Sequence, residues 1–275
     1  MTQNSEFQFY LSHSKMSDPK EYCAHFSSIP HEVSAIASTV QGLLLHDYFG
    51  AYLYADPPAR IAEASRETLP VFERLPTVAN FGVLPLTKTR APRNRTVGTC
   101  RDFALLTCSI MRHKGIPARV RCGFALYFHP PTYEDHWICE YWDEDVQAWK
   151  IVDAQLDEEH RRHLSISFDP TDVPREQFLL PWQIWEQFGS EPSKLEVFGH
   201  GEAKGFWFLR VNLARDFLAL LKREASSWDG WRQHGEVHKQ TSMEAITQCT
   251  EVAAACRSLS ASKHVDASKF KDLVC

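Results

Sequence analysis

Gly98-Thr99-Cys100-Arg101-Asp102-Phe103-Ala104, running on to Gly115-Ile116-Pro117-Ala118-Arg119-Val120, is the stretch whose reading decides the fold. Between its two ends, Phe103, Ala104, Leu106, Thr107, Ile110 and Met111 recur at the period of one helix face. Gly98 and Thr99 offer a turn and an N-cap, Gly115 a C-terminal stop, and Pro117 lies just beyond it. Cys100 therefore opens the helix. A thiol in a first turn meets unpaired backbone N–H groups and the positive end of the dipole, and both favour thiolate over thiol. That is where a nucleophile is wanted.

Downstream the period changes to two. Val120, Cys122, Phe124, Leu126 and Phe128 alternate with Arg119, Arg121 and Gly123, which predicts a strand. His129-Pro130-Pro131-Thr132-Tyr133 breaks it. The runs His136–Trp142 and Ala148–Asp153 then flank Asp143-Glu144-Asp145 and read as an antiparallel hairpin. With a two-residue apex at Glu144-Asp145, Trp142 faces Gln147 and His136 faces Asp153, their Cβ atoms about 4.5–5.5 Å apart. A slip of one residue would put them on opposite faces. In this reading Cys100 is nucleophile, His136 base and Asp153 orienter. Such a triad suits attack on a carbonyl, a thioester intermediate and capture by a second nucleophile, with the Cys100 backbone N–H facing the oxyanion.

The Gly-Thr-Cys helix, its Gly-Ile-Pro-Ala-Arg exit, Asp135-His136-Trp137 and Val152-Asp153 together resemble the core motif of the transglutaminase-like superfamily, over about residues 95–156. The resemblance implies an α+β, papain-like fold in which the cysteine helix packs on an antiparallel sheet with flanking helices. It also implies that Cys100, His136 and Asp153 are catalytic. Members cross-link glutamine to amines, cleave amides or peptides, form amide bonds in small-molecule pathways, or have lost activity. The upstream tryptophan with which the animal cross-linking enzymes hold the oxyanion has no counterpart, because the first tryptophan here is Trp137. No acidic loop has the spacing of a calcium site.

Outside this core, Val33, Ile36, Val40, Leu43, Leu44 and Tyr48 follow Pro30 at helical spacing and predict a helix over 31–50, with His46-Asp47 as a solvated or hydrogen-bonded pair. A second helical stretch, 59–75, is interrupted by Pro70. Residues 76–97 read as loop, and Arg90, Arg93 and Arg95 as a solvated face. Residues 154–174 are polar and irregular; helical patterns resume at 176–188, with Pro181 a break or restart, and at 207–223. Trp228-Asp229-Gly230-Trp231 reads as an anchoring turn, and Thr241-x-x-Glu244 as a capping box. The expected organisation is an N-terminal helical part (1–75), a catalytic core (76–170), a C-terminal helical part (171–235) and a tail of one helix followed by flexible chain (236–275).

Charged residues make up 24% of the 275, the hydrophobic set 44%, and the net charge is −5 with both signs mixed. Neither a nucleic-acid footprint nor a membrane surface is expected from this. No basic region followed by an apolar run opens the chain, so no signal peptide is expected. The eight cysteines contain no Cys-x-x-Cys pair, which reads as reduced thiols in the cytoplasm. Cys108, Cys122, Cys139, Cys249 and Cys256 read as small buried hydrophobes. His160 with His163, and His234 with His238, lack nearby cysteines, so neither a metal nor another cofactor is expected. Arg119 and Arg121 read as a solvated strand face. Arg101, beside the nucleophile, and His129, Tyr133 and Asp135, on the loop before His136, are candidate substrate contacts. The expected partners are a small-molecule or peptide acyl donor and an amine or water acceptor. An amine makes the protein a transglutaminase-like acyltransferase, and water makes it an amidase or peptidase. A catalytically idle binding module is the alternative from another class, and the intact triad argues against it.

Overall fold

The computed structural model describes residues 6–59, 69–224 and 242–273. In chain order its main helices are α1 (Val33–Leu43), α2 (Asp47–Leu53), α3 (Cys100–His113), α4 (Glu158–His163), α5 (Pro181–Phe188), α6 (Phe206–Leu220) and α7 (Met243–Ala261). Its strands are β1 (Leu44–His46), β2 (Thr96–Gly98), β3 (Ala118–His129), β4 (Thr132–Asp143), β5 (Ala148–Val152), β6 (Phe178–Leu179), β7 (Phe198–His200) and β8 (Ala203–Lys204). The fold is α+β. The main sheet runs β6-β3-β4-β7-β8, with β5 also on β4, and β1 pairs separately with β2. Pairing is antiparallel for β3–β6, β4–β5 and β7–β8 and parallel for β4–β7. Among the described residues no helix is long and apolar enough to cross a membrane.

The chain divides into two compact units, with β3 and β4 passing from one to the other. The first comprises Tyr10–Val120 and Ile138–Pro174. Its centre is α3, in which every residue from Arg101 to Arg112 is buried. The one-sided stripe of the sequence thus belongs to a helix covered all round. Arg112, inside this core, donates from Nε to the Ala118 carbonyl (3.0 Å) and from a terminal nitrogen to Ser17 Oγ (2.8 Å). α1 packs on α3, and Cys139 of β4 lies 3.9 Å from the sulfur of Met111. The expected helix over 31–50 is interrupted, because Leu44–His46 leave it to pair in parallel with Thr96–Gly98. His46 then caps α2 by accepting the Tyr48 N–H (3.2 Å).

The arginines correct the sequence reading. Arg119 is not on a solvated face: its Nε donates to Glu140 Oε2 at 2.8 Å, and its guanidinium lies 3.9 Å from the Trp149 ring centre. Arg90 is buried and donates to the carbonyls of Ala79, Leu84, Pro85, Leu86 and Lys88, so it organises the loop before β2. Arg93 stays exposed beside Asp56, while Arg95 reaches Asp157 (3.3 Å).

The second unit comprises Met1–Phe9, Arg121–Trp137 and Arg175–Cys275. α5, α6 and α7 pack on one another there, and Phe124 of β3 meets Phe198 and Phe208 edge to face. Arg121, again buried rather than solvated, forms a two-point pair with Asp216 (2.8 and 2.7 Å). The stretch predicted as helix over 176–188 starts late: β6 occupies Phe178–Leu179, and the helix begins at Pro181, whose fixed φ and missing N–H suit a first turn. α7 is capped by Ser242, which accepts the Ala245 N–H. Thr241, His234, His238 and the turn at 228–231 lie outside the described residues.

Candidate active site

The loop that delivers Cys100 is fixed by its neighbours in the first unit. Thr99 donates its backbone N–H to Asp102 Oδ2 at 2.8 Å, and its hydroxyl lies 3.3 Å from the same oxygen. The third helical residue thus reaches back to the cap, an arrangement that satisfies a donor which the helix itself leaves unpaired. A β-carbon on Gly98 would sit 2.9 Å from Asp102 Oδ2, so this close approach requires glycine. Asp102 is also held by Arg74 (3.0 Å), which donates in turn to the Val97 carbonyl (3.2 Å). Both members of the pair are buried. Asp102, which the helix dipole alone would have explained, is therefore the clamp between β2 and α3. Cys100 is half-buried, whereas every residue from Arg101 to Arg112 is buried.

Asp153 follows β5 directly and is buried. Its Oδ1 accepts the Gln155 N–H at 3.0 Å, and its own N–H donates to the Pro170 carbonyl at 2.8 Å. The hairpin register differs from expectation. Trp142 pairs with Trp149, not Gln147, and the ladder runs from Asp143↔Ala148 to Cys139↔Val152. The cause is Asp143, whose Oδ1 accepts the N–H groups of Asp145 (2.9 Å) and Val146 (3.2 Å) and so lengthens the turn to residues 144–147. Asp153 lies one residue past the last pair, and this register does not set it directly opposite His136. The shift is an even one, so every residue keeps its face.

Beyond Asp153, the segment read as irregular contains α4. Asp157 caps it by accepting the His160 N–H, and His160 Nδ1 lies 2.8 Å from Asp157 Oδ1. Tyr54 donates to the other oxygen, which Arg95 also approaches. Burial pushes the Asp157 carboxyl up, but the hydrogen bonds from His160 and Tyr54 outweigh it and hold the group down at about 2.

In the second unit, His136 is buried with its ring edge-on to Phe128 (centroids 4.8 Å apart) and Tyr127 (6.0 Å). The candidate substrate contacts fare unevenly. His129 is exposed at the end of β3. Tyr133 and Asp135 lie on β4 and not on a loop, because the turn between the strands is only Pro130-Pro131. Tyr133 stacks on Phe198 at 4.9 Å. Asp135 faces Arg215 at 3.4 Å, and burial raises its carboxyl above the ordinary range. Arg101, in the first unit, is buried beside Asp102.

Among the described residues no group of three or more His, Cys, Asp or Glu side chains is arranged to hold a metal. Compared with known proteins, residues 85–154 match the model of the transglutaminase-like superfamily core. No curated protein matches the chain. One solved structure, a "putative cysteine protease" from Cytophaga hutchinsonii, is similar at 19% identity with a TM-score of 0.38, over 56% of this chain. The chain spans less than half of that protein, 43% of its length.

Proposed function

We propose that the transglutaminase-like core carried by this chain works as a thiol-dependent acyltransferase, with Cys100, His136 and Asp153 as its catalytic residues. The thiolate of Cys100 attacks the carbonyl carbon of an acyl donor, and an S–C bond forms as the carbonyl electrons move to oxygen. The Cys100 backbone N–H donates to that oxyanion. The His136 imidazolium, oriented by Asp153, gives its proton to the leaving amine as the C–N bond breaks, which leaves a thioester and a neutral imidazole. An incoming amine then passes its proton to His136, attacks the thioester and expels the thiolate. Arg101, His129, Tyr133 and Asp135 are the candidates for substrate contacts on sequence grounds, His129 being the one that is fully exposed.

The observation that carries this reading is that Cys100 is only half-buried at the opening of a helix buried from Arg101 to Arg112, inside the segment matched by the family model. Reactive cysteines sit partly exposed at positions such as helix N-termini, whereas structural thiols are buried and inert. None of the seven described cysteines is in a disulfide, which supports a cytoplasmic setting.

The test is acylation by p-nitrophenyl acetate, followed by intact mass and peptide mapping. One acetyl group on Cys100, lost faster when methylamine is added, supports transfer to an amine; decay indifferent to methylamine makes water the acceptor. Cys100→Ala abolishes turnover on either path, and turnover that survives this change overturns the reading.

A further inference from the structure

Gln155 is 1% exposed, and both its Oε1 and its Nε2 are buried with no hydrogen-bonding partner among the described residues. Most buried side-chain amides are paired, and each that is not requires an explanation. Nothing about this one is loose. Its backbone N–H is bound to Asp153 Oδ1 at 3.0 Å, its carbonyl accepts the Asp157 N–H at 2.9 Å, and the next carbonyl, Leu156, accepts from Gln41 of α1 at 3.2 Å. α1 leads directly into β1, which pairs with the strand that ends two residues before Cys100. The main chain of residue 155 is thus pinned to the carboxylate assigned to the triad, on a segment tied to the elements that carry the nucleophile. Asp153, two residues earlier on the same segment, is equally buried.

A carboxamide offers one acceptor and two N–H donors side by side. In an extended residue the N–H and C=O point to the same side, so a single carboxamide satisfies both at once. We propose that Gln155 reads the acyl donor: Oε1 accepts the N–H, and Nε2 donates to the C=O, of an amino-acid residue bound in extended form whose carbonyl Cys100 attacks. The favoured donor is then an N-acylamino acyl group and not a plain fatty acyl chain. A site built to hydrogen-bond a substrate N–H discriminates strongly against an analogue that lacks it. The inference rests on the acyl-transfer reading above.

Two activated esters test it on the full chain. The p-nitrophenyl esters of N-acetylglycine and of pentanoic acid share leaving group and chain length, and differ in whether the chain contains an amide. The wild-type protein is expected to favour the acetylglycyl ester in kcat/KM by about tenfold or more, and Gln155→Met to bring that ratio close to one. A preference unchanged in Gln155→Met, or no preference in the wild type, overturns the assignment. Because methionine removes no internal hydrogen bond, the melting temperature should hold; where it falls sharply, the carboxamide has an internal role and the assignment is again overturned. Gln155→Asn, which keeps the amide but withdraws it by one methylene, repeats the comparison should the methionine variant fail to fold. Cys100→Ala separates this failure from a failure of the acyl-transfer reading. If ester turnover persists without the thiol, both fall; if turnover is lost with the thiol while the ester preference ignores residue 155, only the role of Gln155 falls.

Discussion

Arg74→Met should loosen the loop that presents Cys100, and the structure sets the size of the effect. The substitution removes the cation 3.0 Å from Asp102 Oδ1 and the donor to the Val97 carbonyl, but it leaves the Thr99 N–H on Asp102 Oδ2. Breaking a buried ion pair by removing one partner costs about 3–5 kcal/mol, because the other charge remains buried. The retained bonds from Thr99, and the Arg101 guanidinium 3.9 Å from Asp102 Oδ1, place this case near the lower end. At roughly 2–4 °C per kcal/mol for a chain of this size, melting should fall by roughly 6–12 °C. Asp102→Asn strands the Arg74 charge in the same way. The double variant buries neither charge, so it should be more stable than the sum of the two single losses implies. Circular-dichroism melts of the four proteins give this coupling, and the rate of Cys100 alkylation reports whether the loop has moved. Losses below about 1 kcal/mol that simply add would refute the idea that Arg74 and Asp102 clamp the nucleophile loop.

Three further outcomes follow from named contacts. The Asp157 carboxyl sits at about 2, below the model-peptide value, so its contribution of about 2 kcal/mol is present above pH 4 and lost as pH falls toward 2. Urea midpoints measured from pH 5 to pH 2 should decline more steeply for the wild type than for Asp157→Asn, and parallel declines would contradict this. Arg121→Met and Asp216→Asn should each destabilise the chain by about 3–5 kcal/mol, since each leaves one member of a fully buried two-point pair; chemical denaturation measures it, and losses under 1 kcal/mol would show the pair to be dispensable. Arg119→Lys keeps the charge but not the planar group that lies over Trp149 while bonding Glu140, and should cost at least about 1 kcal/mol in the same assay.

What the sequence made legible was local. Helical period, the stop at Gly115 and the switch to alternation from Arg119 place α3 and β3 closely, because each depends on neighbours a few residues apart. The misreadings came from distant partners. Nothing near Leu44 announces that it will leave a helix to pair with Thr96, 52 positions on. Arg119 and Arg121 look like an outward strand face until Glu140 and Asp216 arrive from elsewhere in the chain to neutralise them. The hairpin register turned on the Asp143 side chain, which favours a four-residue turn over the two-residue apex that spacing alone suggested. At the candidate site, Cys100 and its cap were legible. The backward reach of Asp102 to Thr99, the Arg74 clamp and the buried amide of Gln155 were not, since polar residues carry no period to betray their burial.

Thiol labelling with limiting iodoacetamide tests the central claim most directly, read cysteine by cysteine in the wild type and in His136→Ala. Exposure alone favours Cys23, the one exposed cysteine among those described, over the half-buried Cys100. A sulfur activated as a nucleophile reverses that order, so Cys100 should be modified first at neutral pH and should lose its lead when His136 is removed. Labelling that simply follows exposure, or a Cys100 rate that ignores the loss of His136, would contradict the account.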